Sequence, residues 1–262
     1  MLSPAQHVAI AAIALLGGAV NAIAGGGMLL TFPALIGLGV PSLVANATST
    51  VALWPASVAS FLGYRAELTG VRAWALWFLA PSVAGGLLGG VLLTVTSQRR
   101  FDQIVPFLVL FATLLFLGQR PALDALNRRA GHVSRESREV TARPPARGFL
   151  LFHFFVAVYG GYFGGGAGII MLAAFGLMGL TNIHQMNGLK NFCGLTFNLV
   201  AIGAFVVKGL VDWPIALTMA LGSVLGGWAA SGLAQRVPQA WVRGAVVVIG
   251  FAAGLSLLIA RD

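Results

Sequence analysis

Charge is scarce in this chain. Asp, Glu, Lys and Arg make up 9% of 262 residues, against 58% hydrophobic residues and a mean hydropathy of +0.90, whereas soluble domains carry roughly 25% charged residues. That excludes an ordinary soluble domain and predicts an integral membrane protein. Acidic residues number only 7, and none falls within a run apolar enough to cross a bilayer, which argues against a buried carboxylate relay for protons. Cysteine occurs once, as Cys193 inside an apolar run, so an internal disulfide and a cysteine metal cluster are both excluded. There is no His-Glu metal motif, no pair of intramembrane aspartates and no serine with an evident general base. No catalytic residue, metal site or cofactor is therefore expected, and the chain does not read as an enzyme. The N-terminal MLSPAQHVAI has no Lys or Arg and apolar character continues through Val40, so the first segment is expected to be retained rather than cleaved as a signal peptide.

What is present is a series of apolar runs of about 20 residues, the length that crosses a bilayer. They fall near 5–24, 43–63, 73–96, 103–118, 149–170, 187–207, 213–233 and 241–260. The expected fold is an all-α polytopic membrane protein. Positive charge concentrates between Arg120 and Arg147, where Arg120, Arg128, Arg129, Arg135, Arg138, Arg143 and Arg147 face only Asp124, Glu136 and Glu139. This divides the chain into a first membrane repeat (1–118), a basic linker (119–148) and a second membrane repeat (149–262). The positive-inside rule places the linker in the cytoplasm, where anionic lipid headgroups are compatible partners. No aromatic-basic interleaving accompanies the arginines, so the net charge of +9 does not point to nucleic acid.

The two halves resemble one another along a shift of 140. Gly25-Gly26 falls on Gly165-Gly166, Gly39 on Gly179, Thr50 on Lys190 and Gly63 on Gly203. Further on, GVRAW (70–74) meets GLVDW (209–213) and SVAGG (82–86) meets SVLGG (223–227). Each half then holds about four hydrophobic segments, the first broken at a glycine-rich run, IAGGGMLL in one and YFGGGAGII in the other. Duplicated halves with a broken first segment are the signature of secondary transporters, whose sites lie between the repeats near the midplane. Two topologies remain open: eight spans with parallel halves, or ten passes with the broken segments doubled back and the halves inverted. The linker side carries 11 Lys and Arg in either case, so charge does not choose between them.

A helix restarting after a glycine break points its amides and positive dipole end at the break, a geometry suited to anions. The scattered pairs Gly85-Gly86, Gly89-Gly90 and Gly226-Gly227 are read instead as sites of close helix packing. Of 23 charged residues, 22 fall in or beside predicted loops and the exception is Lys190; an intramembrane charge is costly enough to mark a pathway. Asn187, Lys190, Asn191, Gly194 and Asn198 share one helical face, with Phe192, Leu195, Phe197 and Leu199 pointing largely elsewhere. Asn46, Ser49, Thr50 and Ser57 form a comparable uncharged face in the first half. Snorkelling of Lys190 to an interface is the competing account. His184 and Gln185 read as interfacial loop residues, and Asn21 either satisfies broken backbone or meets substrate.

NAIAGGGMLLTFPAL followed by VANATSTVAL, and GGYFGGGAGIIMLAAF followed by MNGLKNF, together resemble the TauE/SafE family, the sulfite exporter and 4-toluene sulfonate uptake permease group, over essentially the full chain. The resemblance implies a bacterial inner-membrane carrier of sulfite, organosulfonates such as sulfoacetate or related small anions, commonly outward. It implies that Gly25, Gly26, Gly27, Thr50, Gly164, Gly165, Gly166 and Lys190 occupy the family's characteristic positions. Adding the polar neighbours, the expected substrate site comprises these residues with Asn46, Asn187 and Asn191. Pro33 is matched by Ala173 and Gly27 by Ala167, so the half-sites are not equivalent. The function expected is an alternating-access anion transporter. An anion channel and an uptake permease for organosulfonates or another small anion are the alternatives.

Overall fold

The chain reverses direction at each glycine break. The computed structural model describes residues 3–24, 26–130, 143–180, 182–233 and 239–259. Among them are ten α-helices and no strand: α1 (Pro4–Ala24), α2 (Met28–Gly37), α3 (Ser42–Tyr64), α4 (Arg72–Val95), α5 (Gln98–Ala130), α6 (Arg147–Tyr162), α7 (Ala167–Leu177), α8 (Ile183–Val207), α9 (Trp213–Leu233) and α10 (Gln239–Ile259). A 3₁₀ turn, Glu67–Val71, joins α3 to α4. Helix starts carry familiar signals. Pro4 opens α1, where a missing N–H costs nothing. Asn182 caps α8 by accepting from the amides of His184 (2.9 Å) and Gln185 (3.3 Å), which puts both of those residues in a helical first turn rather than in a loop. Asp212 caps α9 through the Ile215 amide at 3.2 Å.

α1, α4, α5 and α8 each contain 18 or more residues apolar enough to cross a membrane. α3 is not among them, because Asn46, Thr48 and Ser49 lie along it, all with 0% exposure. A helix can carry so many polar groups through an apolar layer only when protein covers them. α5 continues to Ala130, well past residue 118, so the basic linker begins as helix; residues 131–142 of it lie outside the described residues.

Contacts between neighbours establish helix direction. α2 folds back on α1: a β-carbon at Gly17 would sit 2.8 Å from Thr31 Cγ2, and one at Gly27 would sit 2.3 Å from the Gly17 carbonyl oxygen. α4 runs in the same direction as α6 and α8. Gly85 and Gly89 lie on the Phe154 and Val158 carbonyls of α6, while Gly86 and Gly90 lie on Phe197 and Ala201 of α8. α9 runs likewise with α1 and α3. Gly222 and Gly226 lie on the carbonyls of Ala11 and Leu15, and the Ser223 hydroxyl donates to the Ala52 carbonyl at 2.6 Å. α5 and α10 are antiparallel, with Gly250 on Thr113 and Gly254 on Leu110. So are α3 and α8, where Asn191 donates to Ser60 (3.1 Å) and the Trp54 indole to the Leu195 carbonyl (3.4 Å).

Following these directions, α1 to α5 run up, down, up, down, up, and α6 to α10 run the reverse. The helices after the linker are inverted relative to those before it, and the broken segments double back. The eight-span alternative is not the one found. The fourth helix of each set packs within the other set, so the two apolar cores cut across the sequence halves. One core gathers α4, α6, α7 and α8 around Trp74, Phe78, Met171, Phe175, Leu189 and Phe197. The other joins α1, α2, α3 and α9 with α5 and α10, around Phe32, Leu35, Leu53, Phe101, Phe116 and Met219, and takes in Ile169 of α7 and Ala201 and Phe205 of α8.

The glycines read as packing residues do set these approaches. A β-carbon would fall 1.8 Å from the Leu15 carbonyl oxygen at Gly226 and 2.1 Å from that of Val158 at Gly89. Gly89→Ala and Gly226→Ala should therefore each destabilise by about 1–3 kcal/mol, the usual cost of overpacking, read as a lower melting temperature in detergent. Gly203→Ala and Gly244→Ala, where a β-carbon meets open space, should be neutral or gain up to ~1 kcal/mol of helix propensity. Equal behaviour of all four would show that glycine does not govern helix approach.

Candidate functional site

The site is assembled where the broken segments meet the middles of α3 and α8. At the second break α6 ends at Tyr162, and Gly164 (φ 84°) and Gly166 (φ 81°) turn the chain through the left-handed region, which only glycine enters without strain. Two side chains satisfy the interrupted backbone. The Tyr159 hydroxyl donates to the Gly165 carbonyl, and Asn46 Nδ2, from α3, donates to the Tyr162 carbonyl at 3.0 Å. The first amides of α7, at Ala167 and Gly168, have no helical carbonyl behind them, and both residues line a cavity. At the first break the chain tightens, the Leu29 and Leu30 amides donating to the Gly26 (3.0 Å) and Gly27 (3.1 Å) carbonyls.

That cavity has a volume of about 80 Å³, several times the ~10–15 Å³ of such space that one water needs. Asn21 of α1, Ser57 and Ser60 of α3, Gly164, Gly168 and Met171 around α7, and Lys190, Asn191, Gly194 and Asn198 of α8 line it. A second space of about 50 Å³ shares Asn21, Ser57, Gly164 and Asn198 with the first and adds Met28, Thr50, Leu53 and Trp54. Leu53 and Leu195, which lie on these walls, are the midpoints of α3 and α8. The cavity is thus at mid-depth, on the seam between the two apolar cores.

Lys190 is 6% exposed. Its stem rests on Gly168, where a β-carbon would come within 3.2 Å of Lys190 Cδ, and the residue lines the cavity. Among the described residues no Asp or Glu lines either space, and no hydrogen bond or ion pair reaches the ammonium. The surrounding polar groups are partly committed elsewhere. Asn21 Nδ2 donates to Ser57 Oγ at 3.0 Å, and the Thr50 hydroxyl donates to the Asn46 carbonyl at 2.9 Å. The arrangement offers one cation, amide and hydroxyl donors, and the positive end of a short helix. Chemically that suits an oxyanion.

Of the residues expected from sequence, Thr50, Gly164, Lys190 and Asn191 line the paired spaces. Gly26, Gly27, Gly165 and Gly166 are buried at the breaks beside them; Gly26 faces the Phe116 ring and Gly165 the Phe163 ring. Asn46 holds broken backbone, and Asn187 Nδ2 donates back to the Ile183 carbonyl of its own helix. Gly25 lies outside the described residues. Asn21, Trp54, Ser57, Ser60, Gly168, Met171 and Asn198 join the lining. For Asn198 and Ser57 the helical spacing carried the signal; for Trp54 and Met171, set in apolar runs, nothing in the spacing distinguishes them. Leu195 and Phe197, expected to face elsewhere, are wall residues as well. His153 is buried between α6 and α4 against Ser82 Oγ at 2.8 Å, away from the cavity.

Comparison with known proteins follows the same lines. The model of the family described as sulfite exporter TauE/SafE matches residues 10–257. A probable membrane transporter protein of Haemophilus influenzae is 30% identical over 239 residues, covering 88% of this chain and 86% of its own length. The probable membrane transporter protein ORF9 of a Sinorhizobium species is 28% identical, over 94% of this chain and 89% of its own. The probable membrane transporter protein YfcA of Escherichia coli K12 is 27% identical, over 98% and 91%. No solved structure matches. The family match spans nearly the whole chain, the relatives are named as membrane transporters, and helices long enough to span surround a polar mid-depth cavity: the chain is a multi-pass membrane protein belonging to the sulfite exporter TauE/SafE family.

Proposed function

We propose that the protein carries small sulfur-containing anions, sulfite or an organosulfonate such as sulfoacetate, out across the bacterial inner membrane by alternating access. The observation that supports this most is Lys190, buried on a cavity wall that holds no acid among the described residues. A tetrahedral or pyramidal oxygen cluster fits such a wall, because each oxygen accepts from a different donor while the ammonium supplies the counter-charge. The cavity sits between the two apolar cores, so a movement of one relative to the other would expose it first to one side and then to the other. An interior-negative potential of 100 mV favours exit of each unit of negative charge by about 2.3 kcal/mol, so export needs no further driving ion.

The linker side is the cytoplasmic side in this reading. With the breaks doubled back, Arg65, Arg72, the seven linker arginines, Arg236 and Arg243 give that side 11 basic residues against 4 on the other, the positive-inside pattern. A cysteine placed at Ser137 should resist a membrane-impermeant thiol reagent in intact cells and react after lysis. Native Cys193 is fully buried, which keeps the background low. Labelling in intact, energised cells would reverse the orientation.

Lys190→Gln keeps a donor and much of the length but removes the charge. Initial rates of sulfite or sulfoacetate efflux from proteoliposomes should fall at least tenfold, about 1.4 kcal/mol, with folding preserved. Lys190→Arg should recover only part of the rate, because a planar fork does not replace a compact ammonium in a confined site. Wild-type rates in well-folded Lys190→Gln would show that the lysine does not serve the substrate.

A further inference from the structure

Lys190 is the single charged side chain that is buried among the described residues. Among the described residues, the two adjoining spaces that make up the cavity hold no Arg, His, Asp or Glu, and no second Lys. Every other polar group facing the cavity, including Asn21, Thr50, Ser57, Ser60, Asn191 and Asn198, is electrically neutral. These groups orient an anion without changing the total charge of what moves. The α7 amides add a dipole, which attracts negative charge locally but carries no net charge.

The charge balance therefore has a definite value. We propose that the protein handles one negative charge per transport event: the loaded site, a monoanion against the Lys190 ammonium, is electrically neutral, whereas the empty site moves with the ammonium uncompensated. This rests on the carrier reading above and narrows its substrates to monoanions, bisulfite or a simple sulfonate, rather than dianions such as sulfoacetate. A divalent oxyanion would leave a net negative charge in a low-dielectric interior, where the cost of an uncompensated charge is steep. A neutral loaded site can cross without electrical work.

The asymmetry between loaded and empty forms separates two modes of transport. In one-for-one exchange only the loaded, neutral form moves between the two sides, so membrane potential has no charge to act on. Net export requires the empty, positively charged site to return toward the cytoplasm, and an interior-negative potential assists that step. One positive charge moving in per turnover equals one negative charge moved out, so the balance agrees with the favourable direction of export.

Methanesulfonate and sulfate make the appropriate pair of probes, since a methyl replaces one oxygen on the same tetrahedral sulfur and the charge falls from two to one. With purified protein in liposomes, methanesulfonate should show at least tenfold tighter half-saturation than sulfate. A potassium–valinomycin potential, negative on the side facing the linker, should speed net methanesulfonate efflux from that side several-fold and leave its self-exchange unchanged. Thr50→Lys, which adds a second ammonium in the adjoining space, should shift preference toward sulfate. Wild-type protein that handles sulfate as well as methanesulfonate, or self-exchange as voltage-sensitive as net efflux, would overturn the one-charge stoichiometry while leaving anion transport itself standing. Folded protein that neither binds nor moves either anion would instead remove the carrier reading, and this inference with it.

Discussion

A backbone broken inside an apolar layer must find partners for its amides and carbonyls, since neither lipid nor a missing helical turn supplies them. Two such breaks organise this molecule. At the second, Tyr159 and Asn46 take up acceptors that the helix no longer serves, and the leading amides of α7 are turned toward a cavity. Asn46 comes from α3, before the linker, and its acceptor is at the end of α6, after it. The helices after the linker do not complete their own break. That interdependence brings α3 and α8 together across mid-depth, and with them the polar faces on which Lys190 becomes tolerable.

Glycine controls the packing around this centre in a different way. Along α4, Gly85 and Gly89 admit the α6 backbone while Gly86 and Gly90 admit α8; along α9, Gly222 and Gly226 admit α1. Without a hydrophobic force between helices in lipid, such close backbone contact is what association relies on. The result is two tight clusters, α4 with α6 and α8 and α9 with α1 and α3, that meet through α3 and α8. The seam that contains the cavity is held in part by polar contacts, among them the Trp54 bond to the Leu195 carbonyl at 3.4 Å and the Asn191 bond to Ser60 at 3.1 Å.

Much of this was legible in residue order. Composition alone placed the chain in a membrane, the paired glycine runs marked both breaks, and the spacing of Lys190, Asn191, Gly194 and Asn198 described a face that does line the cavity. What was not legible depends on long-range pairing. Equal basic counts under both topologies left the inversion undetermined, and only the direction of α4 against α6 and of α9 against α1 decides it. Asn46 looks like a site residue because it shares a turn with Thr50; its role as a partner for broken backbone needs Tyr162, 116 positions away. Ser60 and Trp54 enter through contacts with Asn191 and Leu195, which no local pattern announces. α5 outran its apolar stretch because a helix, once formed, propagates into polar sequence at little cost.

The central claim is that an oxyanion rests beside Lys190 on the seam between the two cores. Selenite, the selenium counterpart of sulfite, permits the most direct measurement: anomalous scattering from crystals of the protein grown with it. The account predicts a selenium peak in the cavity between Gly168, Lys190 and Asn191, within hydrogen-bond reach of the ammonium and missing from crystals of Lys190→Gln. A peak of full strength elsewhere in the bundle with none beside Lys190, or one in the cavity unchanged in Lys190→Gln, would contradict it.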